Sequence, residues 1–127
     1  MIVIFGGAYQ GKLEYAKKTY GLTDQDLFFC REDTDRVDFS RKAICYLDSF
    51  IYAMISRGED PFEYLKKHAE LLSDKIIICN DLSCGIVPTD PLMRRFREEN
   101  GRILSYLCQN AGHVIRIFCS LPLTMKC

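Results

Sequence analysis

At 127 residues, 48% apolar and 27% charged, the chain has the size and composition of one globular domain with a real core. Its 17 basic and 17 acidic residues balance, which argues against nucleic acid as the main ligand, because that binding needs many neutralised phosphates. No stretch approaches the roughly 20 apolar residues of a membrane span.

Met1 leads straight into an apolar run with no basic segment before it, so no secretory leader is expected. The seven cysteines are odd in number and contain no C-x-x-C, which argues against a disulfide framework or a zinc knuckle. They read as reduced thiols in a cytoplasm, several packing as small hydrophobes after apolar runs, such as Cys79 and Cys119. Cys84 and Cys127 fall at loop or terminal positions and are the reactive candidates.

In chain order, "IVIF" is a buried strand, ended by the glycines that follow. From Lys12 to about Tyr20, Leu13, Ala16 and Tyr20 fall at helical spacing. "DLFFC" is a second short apolar run, and "REDTD" reads as a solvated loop. Phe39, Ala43, Leu47, Phe50 and Met54 then recur every three to four residues, favouring a helix that ends near Gly58. A strand over "KAICYL" leading into a shorter helix is the alternative.

Asp60 and Pro61 predict a helix start, with Phe62, Leu65, Ala69 and Leu72 as its apolar stripe. "KIIIC" is the clearest strand, closed by Asn80 and Asp81. Leu92, Phe96, Ile103, Leu104 and Leu107 predict a long helix in which Gly101 is a candidate kink. "HVIRIFCSLPL" is the last strand, stopped by Pro122. The alternation predicts a three-layer α/β fold over residues 1–127, with a mostly parallel sheet covered by helices.

"GGAYQGKL" nearly completes the phosphate-binding loop G-x-x-x-x-G-K-[ST], in the strand-before, helix-after setting that the motif requires. Gly6, Gly7, Ala8, Tyr9, Gln10, Gly11, Lys12 and Leu13 are therefore the candidate nucleotide-binding residues. Their backbone amides and the helix N-terminus would cradle phosphate, and Lys12 would reach the β- and γ-phosphates. Leu13 stands where a hydroxyl normally holds Mg²⁺. Asp81, at the end of an apolar strand, is the candidate acid for that ion. A glycine turn with a merely solvated Lys12 is the plain alternative.

"NDLSCGIVPTDPLMRRFREENGR" is the most specific run. It resembles the N-E-V-G-x-G-I-V-P segment and the R-x-F-R-D-x-x-G-R helix of the bifunctional adenosylcobinamide kinase/adenosylcobinamide-phosphate guanylyltransferase family. Asn80, Gly85, Ile86, Val87, Pro88, Arg95, Phe96, Arg97, Gly101 and Arg102 match, and Asp81 and Glu98 are conservative replacements. "GGAYQGK" is similar to the family's first loop, and "AGHVIRIFCSLPLTMK" to its tail.

The resemblance implies a P-loop (RecA-like) fold and phosphorylation of a corrinoid precursor in cobalamin biosynthesis or salvage. ATP or GTP with Mg²⁺ would be the cofactors, and a homo-oligomer is implied. Lys12 and Asp81 would be the catalytic residues, and Arg95 and Arg97 candidate phosphate or substrate contacts. A solvated face carrying ion pairs to Glu98 and Glu99 is the plain reading of both arginines.

The family's guanylyl transfer uses a histidine between the second and third strands, but residues 31–60 contain none. His68 and His113 lie elsewhere, so guanylyl transfer is not expected. A non-catalytic relative that binds nucleotide or corrinoid precursor, as a regulatory or assembly subunit, is the competing reading.

Overall fold

The computed structural model describes residues 1–8, 10–82 and 89–127. Tyr9 of the glycine loop, and Cys84, Gly85, Ile86, Val87 and Pro88 of the matching run, lie outside the described residues. The described strands are β1 (Ile2–Gly6), β2 (Leu27–Phe29), β3 (Ala43–Cys45), β4 (Ile76–Asn80), β5 (His113–Phe118) and β6 (Leu121–Lys126). The described α-helices are α1 (Lys12–Tyr20), α2 (Leu47–Ser56), α3 (Pro61–Lys67), α4 (Ala69–Leu72) and α5 (Pro91–Asn110).

The strands form one sheet in the order β2-β3-β4-β1-β5-β6. Every neighbouring pair is parallel except β5 with β6. β1 and β4 read as unbroken apolar runs because both faces of the sheet are covered. On one face Ala16 of α1 packs with Ile4, Ile78, Ile115 and Ile117. On the other, Phe50, Leu65, Ile103 and Leu107, from α2, α3 and α5, close over Val3, Ile44, Ile77 and Val114. Each of these valine, leucine, isoleucine and phenylalanine side chains contributes about 1.5–3 kcal/mol by leaving water.

The expected helix through Ala43 is corrected. Ala43–Cys45 is a buried strand, Tyr46 turns the chain at φ 59°, and α2 starts only at Leu47. A strand buried on both faces shows no alternation, so a chance three-to-four spacing across Phe39, Ala43 and Leu47 imitated a helix.

The helix start at Asp60 holds, its carboxylate accepting the backbone N–H groups of Phe62 and Glu63. That helix then breaks at His68, whose ring Nδ1 lies 2.7 Å from the Tyr64 carbonyl, and Ala69 is exposed rather than part of the stripe. α5 runs uninterrupted through Gly101.

Pro122 does not stop the last strand. It lies within β6 opposite Ile117, at the sheet edge, where a missing N–H leaves no inner ladder bond unmade. Cys119 and Ser120 join β5 to β6 with φ values of 51° and 64°, the sign that two-residue hairpin turns require. Cys119 is therefore an exposed turn residue and not a packed thiol.

α1 leaves β1 on one face of the sheet, whereas α5 follows β4 on the other. β1 and β4 are adjacent, so the two connections diverge at their C-terminal ends, where open α/β sheets place ligand crevices.

Candidate functional site

The glycine loop sits at that divergence. Gly6 ends β1 at φ 151°, and a Cβ there would lie 2.3 Å from the Ile117 carbonyl oxygen. Gly11 precedes α1 in the left-handed region, φ 88°, with no side chain among the described residues capping the helix. The β5–β6 turn braces the loop: the Ser120 amide donates to the Gln10 carbonyl at 2.9 Å, and the Cys119 amide to the Gln10 side-chain oxygen.

Lys12 is only 4% exposed, and its ammonium donates to the Gly7 carbonyl at 2.6 Å. The side chain thus folds back across the loop that it would share with a phosphate. Burial lowers its pKa, opposed chiefly by the negative charge of Asp48.

A cavity of about 360 Å³ opens here, bordered by Ala8, Gln10, Gly11, Lys12, Leu13, Glu14, Tyr46 and Asn80. A larger one of about 890 Å³ shares Gly11 and Glu14 with it and continues along α1 past Tyr15, Lys18 and Thr19 to Ser120 and Pro122.

Asp48 was not legible as a site residue. It is 7% exposed, and its two oxygens accept the backbone amide of Asn80 at 3.1 Å and the Asn80 side-chain amide at 3.2 Å. Burial raises its pKa, with the Asn80 bonds and Lys12 acting the other way. The signal was present in "AICYLD", an apolar run ending in an acid, but only once that run is read as a strand.

Asn80 is positioned in turn by Asn100 of α5, whose side-chain amide donates to the Asn80 carbonyl at 3.0 Å. The Asn80 side-chain oxygen is buried and has no hydrogen-bond partner among the described residues. An acceptor in that state fits a donor, such as a metal-bound water or a hydroxyl, and does not fit bare phosphate oxygens.

Among the other predicted residues, Asp81 lies beside the loop, its amide donating to the Gly6 carbonyl at 2.8 Å. Arg95 is exposed and Arg97 half-buried on α5. Neither borders the two cavities at the loop. Glu99 pairs with Arg102 at 2.7 Å.

His113 pairs with Ile2 at the start of both strands, the end of the sheet opposite the loop. His68 stacks on Phe39 at 5.1 Å, between α3 and α4. Burial pushes the Cys30 and Cys45 thiols up to about 12, so neither serves as a nucleophile. No helix among the described residues is long and apolar enough to cross a membrane.

The family model described as cobinamide kinase / cobinamide phosphate guanyltransferase matches residues 56–125, more than half of the chain. The match runs from the end of α2 to β6 and leaves the glycine loop outside it. No curated protein matches the chain.

Proposed function

The chain belongs to the cobinamide kinase / cobinamide phosphate guanyltransferase family, and from that premise we propose that it is a P-loop, RecA-like phosphotransferase that phosphorylates a corrinoid precursor in cobalamin biosynthesis or salvage. The observation that carries the nucleotide side is the buried Lys12 folded over Gly7 in a glycine turn at the sheet's divergence point. A nucleotide phosphate would replace the Gly7 carbonyl as the ammonium's partner, joined by the uncapped amides of α1. The nucleoside would then lie along α1, in the cavity past Tyr15.

Mg²⁺ fits as an ion carried by the nucleotide, not held in a protein cage. Among the described residues no group of three or more His, Cys, Asp or Glu side chains could hold a metal ion. The unpartnered Asn80 oxygen and the Asp81 carboxylate suit waters on such an ion, which keeps several of its waters in kinase sites. When bound, the ion would neutralise charge on the transferring phosphoryl group.

Leu13 favours the second reading, a relative that binds nucleotide without turnover. The test is transfer of label from γ-labelled ATP or GTP to cobinamide, in the natural chain and in Leu13→Ser. Labelled product, rising in Leu13→Ser, is expected. Binding of nucleotide with no product from either chain would establish the non-catalytic reading.

A further inference from the structure

Asp48 faces two places at once. Toward the loop it is held by Asn80 and acts on Lys12. It also borders a separate cavity of about 210 Å³ with Glu32, Ser49, Tyr52, Met93 and Phe96. Tyr52 and Phe96 meet edge to face there, 5.3 Å between centroids. The lining offers hydrogen-bond acceptors, hydroxyls and apolar surface, with no cation among its described residues. Such a lining does not suit a phosphate or carboxylate. It suits a short neutral arm that ends in a hydroxyl, with its methylenes on Met93 and Phe96.

We propose that this cavity receives the hydroxyl-bearing arm of the acceptor and that Asp48 is the catalytic base. The proposal rests on the phosphotransferase reading above. The acceptor oxygen attacks the terminal phosphorus, forming the new O–P bond. The bond from that phosphorus to the bridging oxygen breaks, and its electron pair leaves with the nucleoside diphosphate. The hydroxyl proton passes to Asp48 and then to solvent.

Its position supports this role, because Asn80 borders the loop cavity and fixes both Asp48 oxygens. Burial, by raising the Asp48 pKa, makes its carboxylate a stronger base. Among the described residues, the titratable groups that act on Asp48 or share its cavity are Lys12 from α1, Cys79 from β4, Tyr46 before α2, Tyr52 from α2, and Cys30 and Glu32 after β2.

The test compares the natural chain with Asp48→Asn and with Met93→Trp, a substitution at a half-exposed position that narrows the cavity. Nucleotide affinity, cobinamide binding by equilibrium dialysis, and phosphoryl transfer are measured on each. At saturating nucleotide, Asp48→Asn should lower kcat about 100-fold or more, with loss of the acid limb of the pH–rate profile. Met93→Trp should weaken cobinamide binding and leave nucleotide affinity unchanged.

If Asp48→Asn at saturating nucleotide stays within about threefold of the natural kcat, or keeps the acid limb, the base assignment is overturned. Cobinamide bound equally by Met93→Trp overturns the cavity assignment. If the natural chain transfers no phosphate yet binds cobinamide in a Met93→Trp-sensitive way, the acceptor cavity stands and the phosphotransferase reading falls. Binding of neither ligand overturns both.

Discussion

Asp48 and Lys12 are opposite charges brought into one buried neighbourhood, and burial moves each toward its neutral form. For Asp48 the sign follows directly. Its folded pKa lies above the ordinary value of 3.8, so the folded state binds its proton more tightly than the unfolded chain does. Its favourable contribution is complete below the unfolded pKa and is lost as pH rises through the folded one. Asp48→Asn cannot titrate. The melting temperature of Asp48→Asn minus that of the natural chain should therefore grow from about pH 3.5 toward neutrality, whatever constant offset the altered hydrogen bonds add. Thermal melts across that range check it. A difference that stays flat would mean that Asp48 is not held as described. Lys12 and the glycines were legible because their spacing is itself the signal. Asp48, Tyr46 and Asn100 were not, since each matters only through a partner distant in sequence.

Among the elements, α1, β1 and β4 were legible because caps, glycines and long apolar runs mark them locally. β3, the His68 break and β6 were not. Three residues of β3 carry too little pattern to outweigh a helical coincidence, and Pro122 is tolerated only because tertiary structure leaves its strand at the edge. Two glycine substitutions separate positions where glycine is required from those where it is incidental. Among the described residues nothing lies within 4 Å of a Cβ on Gly101, inside α5, so Gly101→Ala should stabilise the fold by about 0.5–1 kcal/mol. Gly6→Ala would drive its Cβ into the Ile117 carbonyl and should destabilise by several-fold more, parting β1 from β5 beside the loop. Denaturant melts measure both. A tolerated Gly6→Ala would remove the reason for a glycine at that strand end.

For the whole molecule, the parallel sheet sets which ends of its strands can share a site. Gly6, Asn80 and Asp48 gather at the C-terminal ends of the strands, and His113 begins its strand at the opposite end. A covalent guanylyl intermediate needs an imidazole in line with the α-phosphate, and neither His113 nor His68 borders the loop cavity. Incubation with α-labelled GTP should therefore leave no acid-labile label on the chain; label that disappears in His68→Ala or His113→Ala would contradict this.

The central claim, that the glycine loop and Lys12 bind nucleotide phosphate, is tested most directly by ligand-dependent unfolding. ATP or GTP at 100 times its Kd should stabilise the natural chain by about 2.7 kcal/mol, and Lys12→Ala should lose most of that gain. No gain in the natural chain, or an equal gain in Lys12→Ala, would contradict the account.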